Sequence, residues 1–285
     1  MIKRALISVS DKTGIADFGS ELEAMGVEII STGGTKKVLE KAGIKVMDIA
    51  DFTGLPEMMD GRLKTLHPKV HGGVLAIRDN PKHVKAMEKH GIKPIDMVVV
   101  NLYPFEQTVK ENPGDLETAI ENIDIGGPTM IRSAAKNYKY ITVIVDPEDY
   151  ASILKELKGE KRISLETRQR LALKAFRRAA DYNSEIDAYL SNRFLEEDVL
   201  RISMNQGKKL RYGENPHQTA TWFSDPKSDF RLEQLHGREL SFNNLIDINA
   251  SIAIAAEFEE PFCAIIKHTN PCGEAVGKNP AVAFL

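Results

Sequence analysis

"DMVVVNLY", Asp96 to Tyr103, decides the fold. From Met97 to Val100 every residue is apolar and three of the four are β-branched, with no polar alternation. A strand of that kind has to be covered on both faces, as in a parallel sheet. The flanks agree. "PKHVKAMEKHG" (Pro81–Gly91) before it and "DLETAIENI" (Asp115–Ile123) after it carry helical spacing. The alternation continues outward in both directions. "ALISVS" (Ala5–Ser10) reads as a strand, followed by Ile15, Phe18, Leu22 and Met25 at helical spacing and by Gly26 as the stop. "VEIIST" (Val27–Thr32), "KKVLEKAG" (Lys36–Gly43) and "IKVMDI" (Ile44–Ile49) give strand, helix, strand. Downstream, "YITVIV" (Tyr140–Val145) is a strand and "DPEDYASILKELKG" (Asp146–Gly159) a helix with Asp146 as N-cap and Pro147 in its first turn. This pattern predicts an α/β fold: a mostly parallel sheet with helices on both faces.

At 285 residues the chain exceeds the usual single-domain size, which predicts two domains. A long helical stretch, "ISLETRQRLALKAFRRAADYNSEIDAYLSNRF" (Ile163–Phe194), closes the first unit, and its Lys174, Arg177 and Arg178 read as a solvated face or a subunit contact. Gly, Asn, Pro and charges dominate beyond it. The expected boundaries are therefore 1–197 and 198–285, with the second domain looking cut short at "NPAVAFL". Formal charge is 38 − 41 = −3. That lacks the basic excess needed to neutralise phosphate backbones, so nucleic acid is not expected as a partner. No apolar run approaches a membrane span. Cys263 and Cys272 are the only cysteines and form no CxxC, so neither a disulfide framework nor a thiolate metal site is expected. The cytoplasm is the expected location.

In an open parallel sheet, ligands bind where loops collect at the carboxyl ends of the strands. Those loops carry the chemistry here. "SVSDK" supplies Ser10 and Lys12; "STGGT" supplies Ser31, Gly33, Gly34 and Thr35, hydroxyls and glycine amides that suit a phosphate at a helix start. "GRLKTLHPKVHGG" (Gly61–Gly73) adds Arg62 and Lys64, "NLYP" adds Asn101 and Tyr103, and "DIGGPTMIRSAAKN" adds Asp124, Gly126, Gly127, Pro128 and Lys136. Taken singly, each has a plain alternative: a tight turn, an N-cap or a surface charge. Together they are an inventory for holding a monophosphate and moving protons beside it. Neither G-x-x-x-x-G-K-[ST] nor G-x-G-x-x-G occurs, which disfavours triphosphate hydrolysis and dinucleotide chemistry. His67 and His71 stand four apart, but Pro68 sits badly between them in a helix and no third ligand stands at metal spacing. The stretch is expected to be an anion-handling loop ordered by histidine hydrogen bonds, with no metal.

The ordered set "SVSDKTG", "STGGT", "GRLKTLHPKVHGG", "NLYP" and "DIGGPTMIRSAAKN" resembles the IMP cyclohydrolase part of the bifunctional purine biosynthesis family, which joins IMP cyclohydrolase to AICAR formyltransferase. The resemblance extends over the whole chain through "LRYGENPHQ", "SFNNLIDINA" and "IIKHTNPCG". It implies a methylglyoxal-synthase-like first domain and the incomplete start of a cytidine-deaminase-like α/β formyltransferase domain. It also implies the last steps of purine biosynthesis: closure of formyl-AICAR to IMP with loss of water and, in the full-length protein, formylation of AICAR. The cyclohydrolase would need no cofactor; 10-formyltetrahydrofolate would be the co-substrate of the formyltransferase. Formyl-AICAR, AICAR and IMP would be the small-molecule partners, in a homodimer.

Carried onto this sequence, the resemblance implies catalytic roles for Lys64, Tyr103, Asp124 and Lys136. Ser10, Lys12, Ser31, Gly33, Gly34, Thr35, Arg62, Thr65, Asn101, Gly126 and Gly127 would bind substrate. Within this set, Asp124 with Lys136 close by is expected to help deprotonate the carboxamide, and Tyr103, Asn101 and the Gly126–Gly127 amides to hold the oxyanion. In the second domain Lys267 and His268 would be the catalytic pair, with Arg211, Tyr212 and Asn244 on nucleotide. Two other classes use the same scaffold: a phosphate-ligand regulatory module, which needs the phosphate loops but not the Lys–Tyr–Asp–Lys set, and methylglyoxal synthase, which lacks "NLYP" and a second domain.

Overall fold

The apolar runs form the strands they predict. In the computed structural model, which describes residues 1–204, 207–224 and 232–285, the first unit opens with β1 (Arg4–Ser8), α1 (Ile15–Ala24), β2 (Glu28–Ser31), α2 (Gly33–Lys41), β3 (Val46–Asp48) and α3 (Ile49–Thr53). It continues with α4 (Pro68–Leu75), α5 (Pro81–Lys89), β4 (Met97–Val100), α6 (Phe105–Glu111), α7 (Leu116–Glu121), α8 (Gly126–Lys136), β5 (Thr142–Ile144), α9 (Tyr150–Glu160) and α10 (Leu165–Leu195). The five strands pair in the order β3-β2-β1-β4-β5, all parallel. The chain steps outward from β1 to β3, then returns to lay β4 against the other side of β1. That reversal opens a crevice at the carboxyl ends of β1 and β4.

Alternation along each strand builds two cores. Ala5, Ile7, Ile29, Met97, Val99 and Ile144 pack on one face with Phe18, Leu22, Leu39 and Tyr150. Leu6, Ile30, Val98, Val100 and Val143 pack on the other with Val70, Met130, Ile131 and Tyr182. Successive side chains of a strand point to opposite faces, so unbroken apolar runs are what two helical layers require.

Two segments depart from the sequence expectation. "GRLKTLHPKVHGG" is only half loop: α4 begins at Pro68, with His67 as its N-cap accepting the Lys69 amide at 3.1 Å. Pro68 sits at the first helical position, where its missing N–H costs nothing, so the proline starts a helix rather than breaking one. His67 thus lies outside α4 and His71 inside it. Asp146 does cap, accepting the Glu148 amide at 2.9 Å, but residues 147–149 wind as a 3₁₀ turn before α9.

Contacts divide the chain into two compact units, Met1–Arg201 and Ile202–Leu285. The division falls four residues past the expected 197/198, and Arg201, the last residue of the first unit, pairs with Asp187 on α10. The second unit holds β6 (Lys208–Lys209) paired antiparallel with β7 (Thr221–Trp222), α11 (Phe242–Ala255), the antiparallel hairpin of β8 (Phe262–Lys267) and β9 (Asn270–Val276), and α12 (Pro280–Phe284). Among the described residues no helix is long and apolar enough to cross a membrane.

Candidate active site at the sheet rim

Five loops at the rim of the parallel sheet touch in sequence and close a ring. The Asn101 side chain, just past β4, accepts the amides of Ser10 at 2.5 Å and Asp11 at 2.9 Å and donates to the Asp11 carbonyl at 3.0 Å. The β1 loop in turn meets the β2 loop. Thr35 Oγ1 donates to the Val9 carbonyl at 2.9 Å and Lys12 Nζ reaches both that carbonyl and Thr35 Oγ1, the latter at 3.1 Å. Gly33, at the start of α2, then lines a cleft of about 230 Å³ with Lys36, Lys37, Asp48, Glu57 and Lys64. Thr65, 6% exposed, packs so closely on Gly126 that a Cβ there would stand 2.9 Å from its hydroxyl. Gly127 lies equally close to Leu102, beside Asn101, and completes the ring.

Asp124 joins that ring through Gly127. Its Oδ1 accepts the Gly127 amide at 2.8 Å, and its own amide donates to the Tyr182 hydroxyl at 2.7 Å. Burial raises its pKa above the usual carboxylate value, and the Gly127 and Gly126 amides partly oppose the shift. A half-buried carboxyl held nearer to neutrality is suited to accept and return a proton. Lys12 shows the converse: burial lowers its pKa, with Asp11 partly opposing. Among the described residues its ammonium makes no ion pair and meets neutral oxygens at Val9 and Thr35, so an anion placed there would supply one.

Other expected residues divide. Gly33 and Gly34 are exposed at the start of α2, whose N-cap Thr32 makes no side-chain cap; their amides are free to meet a phosphate. Tyr103 is 51% exposed and its hydroxyl has no partner among the described residues. Lys64 pairs with Glu57 at 3.0 Å, and Arg62 pairs with Glu121. Ser31 is fully buried with its hydroxyl donated to the Ile7 carbonyl at 2.7 Å, so it braces the strands and does not face the rim. Asn101 is committed to the β1 loop through both ends of its amide, and the Gly126 and Gly127 amides turn toward Asp124. The two glycine amides are thus directed at Asp124, whereas Asn101 Nδ2 carries a second hydrogen beyond the one given to Asp11.

Lys136 is not brought to Asp124. It lies exposed in the last turn of α8, ten residues beyond Gly126, and at 1.5 Å rise per residue the axis carries it about 15 Å away. The histidines separate too. His71 Nδ1 lies 3.2 Å from Ser133 Oγ on α8, and burial lowers its pKa against a hydrogen bond to the Thr65 backbone. Sequence reading missed Tyr182, 1% exposed on α10, because it singled out only Lys174, Arg177 and Arg178 on that helix, as a solvated face or a subunit contact. Its apolar stripe Leu171, Ala175, Ala179, Tyr182, Ile186 and Tyr189 steps by four and three and was the available signal.

In the second unit, His268 and Thr269 form the two-residue turn joining β8 to β9, both with positive φ (55° and 64°). Lys267 and His268 are exposed there, and Asp247 on α11 accepts the Thr269 amide at 2.8 Å. Thr269 is β-branched, so its left-handed backbone is a strained feature that this contact helps hold. Arg211 lies 4.9 Å over the Tyr212 ring. Asn244, the third residue of α11, closes a capping box with the N-cap Ser241, its Oδ1 accepting the Ser241 amide at 3.0 Å. Its carbonyl end is therefore committed to starting α11.

A family model described as "AICARFT/IMPCHase bienzyme" matches residues 134–285, and one described as "MGS-like domain" matches residues 14–129. The "Bifunctional purine biosynthesis protein PurH" of Persephonella marina is 51% identical over 100% of this chain and 57% of its own length. Those of Thermoanaerobacter sp. and Bacillus cereus are 52% and 53% identical over the same shares. This chain thus spans 57% of the length of these relatives. The crystal structure of ForH is similar at 36% identity and a TM-score of 0.57, covering 65% of this chain and 96% of that one.

Proposed function

Because this chain belongs to the AICARFT/IMPCHase bienzyme family, we propose that its first unit closes formyl-AICAR to IMP with loss of water. The observation that carries the reading is Asp124: a half-buried carboxyl raised by burial and held by the amides that start α8, on the set of rim loops to which Lys12 also belongs. In the reaction the carboxamide nitrogen attacks the formyl carbon. One carboxamide proton and the formamide N–H proton then leave with the formyl oxygen as water. Both reacting groups sit on one imidazole, so the substrate supplies proximity and the protein supplies proton transfer and charge stabilisation.

Asp124 takes the carboxamide proton in this proposal. Tyr103, exposed and without a hydroxyl partner among the described residues, donates to the oxygen on which charge develops. Lys64 stands by the cleft to neutralise charge, while Lys12 and the Gly33, Gly34 and Thr35 amides hold the ribose 5′-phosphate beside Ser10, Arg62 and Thr65. Asn101, Gly126 and Gly127 shape the site by fixing the loops and the carboxylate. Ser31 has no direct role, and Lys136 has none within one chain.

We infer that in the whole protein the second unit contributes Lys267 and His268 to formylation of AICAR with 10-formyltetrahydrofolate as co-substrate, with Arg211, Tyr212 and Asn244 on the nucleotide. The enzyme acts as a cytoplasmic homodimer on these ribonucleotides. Titrating IMP into the ¹⁵N-labelled chain tests the first-unit proposal. Amide shifts are expected at residues 10–12, 33–35, 64–65, 103 and 124–127; saturation with shifts elsewhere only would reject it.

A further inference from the structure

We propose that Tyr182 is a positioning residue for ring closure: from inside the core on α10, its hydroxyl fixes the backbone of Asp124 and so aims the carboxylate at the rim. This rests on the cyclohydrolase reading above. Tyr182 is 1% exposed and among the largest fully buried side chains, with its ring edge-on to Phe105 at 6.4 Å between centroids. An aromatic ring alone would fill that space. The hydroxyl is the part that needs another explanation, because a buried hydroxyl is costly unless it is hydrogen-bonded. The group it meets is the amide of Asp124, at 2.7 Å.

Asp124 needs such an anchor. It lies just ahead of α8, where Ile125 is the N-cap and makes no side-chain cap hydrogen bond. Its side chain is held from within its own segment by the Gly127 amide. That contact fixes carboxylate relative to helix, not the segment relative to the sheet. The tyrosine supplies the second constraint from a different element, and α10 packs along both α8 and β5. A displacement of about 1 Å at a reacting group is enough to lose about 100-fold in rate, so a single hydrogen bond at this point has kinetic weight. Arg178 lies 6.0 Å over the Tyr182 ring and pairs with Glu185 at 3.3 Å, keeping the charged part of α10 on the outer side of the ring.

The experiment is a double-mutant cycle on the purified chain with Tyr182→Phe, Asp124→Asn and both, following formyl-AICAR turnover and backbone amide exchange. Tyr182→Phe is expected to lower kcat about tenfold, the scale of one hydrogen bond, with KM within about twofold. Exchange at the Asp124 amide should quicken while Val99 and Ile144 stay protected. In the Asp124→Asn background the tyrosine change should have no further effect on kcat, which a general packing role would not produce. An unchanged kcat in an active parent, or effects of the two substitutions that multiply, would overturn the proposal. An inactive parent with a protected Asp124 amide would instead sink the cyclohydrolase reading, and this inference with it. If Tyr182→Phe fails to fold, 3-fluorotyrosine at position 182 keeps the shape and weakens the acceptor; a kcat indistinguishable from the parent's would then count against the proposal.

Discussion

The Gly127 amide donates to the Asp124 carboxylate at 2.8 Å, so the second residue of α8 fixes the acid that precedes the helix. The same glycine leaves no room for a side chain: a Cβ would stand 2.2 Å from Asp124 Oδ2 and 2.7 Å from Leu102 Cδ2. Gly127→Ala must therefore push the carboxylate off its place. Turnover of formyl-AICAR should fall about 100-fold with the far-ultraviolet circular dichroism unchanged. An alanine variant with parent kcat would mean that the carboxylate position is immaterial.

Asp124 also ties stability to pH. Burial places its folded-state pKa above its unfolded value, so the folded chain binds that proton more tightly. The stability this gives is full below the ordinary carboxylate range and is lost as pH rises through the raised pKa. Asp124→Asn removes the ionisation. Its thermal midpoint should match the parent at low pH and exceed it at pH above the raised value, by about 2–4 °C for each kcal/mol relieved. Turnover should meanwhile fall by about 100-fold or more. A variant less stable than the parent at neutral pH would contradict this sign.

Lys64 is held by Glu57 at 3.0 Å, with the two side chains 32% and 50% exposed. A pair this solvated contributes at most about 1 kcal/mol to folding, so Glu57→Gln should leave the thermal midpoint nearly unchanged. It frees a cation beside the cleft. Calorimetric titration should show IMP binding up to about fivefold tighter, within the same energy. Weaker binding would place Glu57 on the ligand and Lys64 elsewhere.

Asp149 is 7% exposed and accepts from Arg170 at 2.8 Å and Lys174 at 2.7 Å, locking the turn before α9 to α10. Asp149→Ala leaves both cations near an apolar core. The loss is expected at about 1–3 kcal/mol in urea unfolding, below the range for a fully buried pair because Arg170 is half-exposed and Lys174 keeps Asp146 at 2.6 Å. Formyl-AICAR turnover at 25 °C should survive, since none of these groups lies in the rim ring.

Residue patterns made the sheet and the loops of the rim legible, because unbroken β-branched runs and glycine-rich turns leave few alternatives. What they concealed is direction. Lys136 reads as two turns from the glycine pair, yet the helix that starts at the rim must descend along the sheet, and carries it to the far edge. Spacing also cannot distinguish a side chain available at a surface from one already committed. Ser31 and Asn101 have the right chemistry, but their hydrogen bonds are made within the fold. Pro68 reads as a helix breaker and is a helix starter, because the histidine before it supplies the cap. Tyr182 stayed hidden because its hydroxyl acts on a residue 58 positions away.

Ring closure itself is the most direct test. Formyl-AICAR mixed with the purified chain, with no folate present, is followed by chromatography for IMP. IMP formation well above the buffer rate is expected, lowered about 100-fold in Asp124→Asn. Formation no faster than in buffer, by a folded chain that binds IMP, would contradict the cyclohydrolase reading.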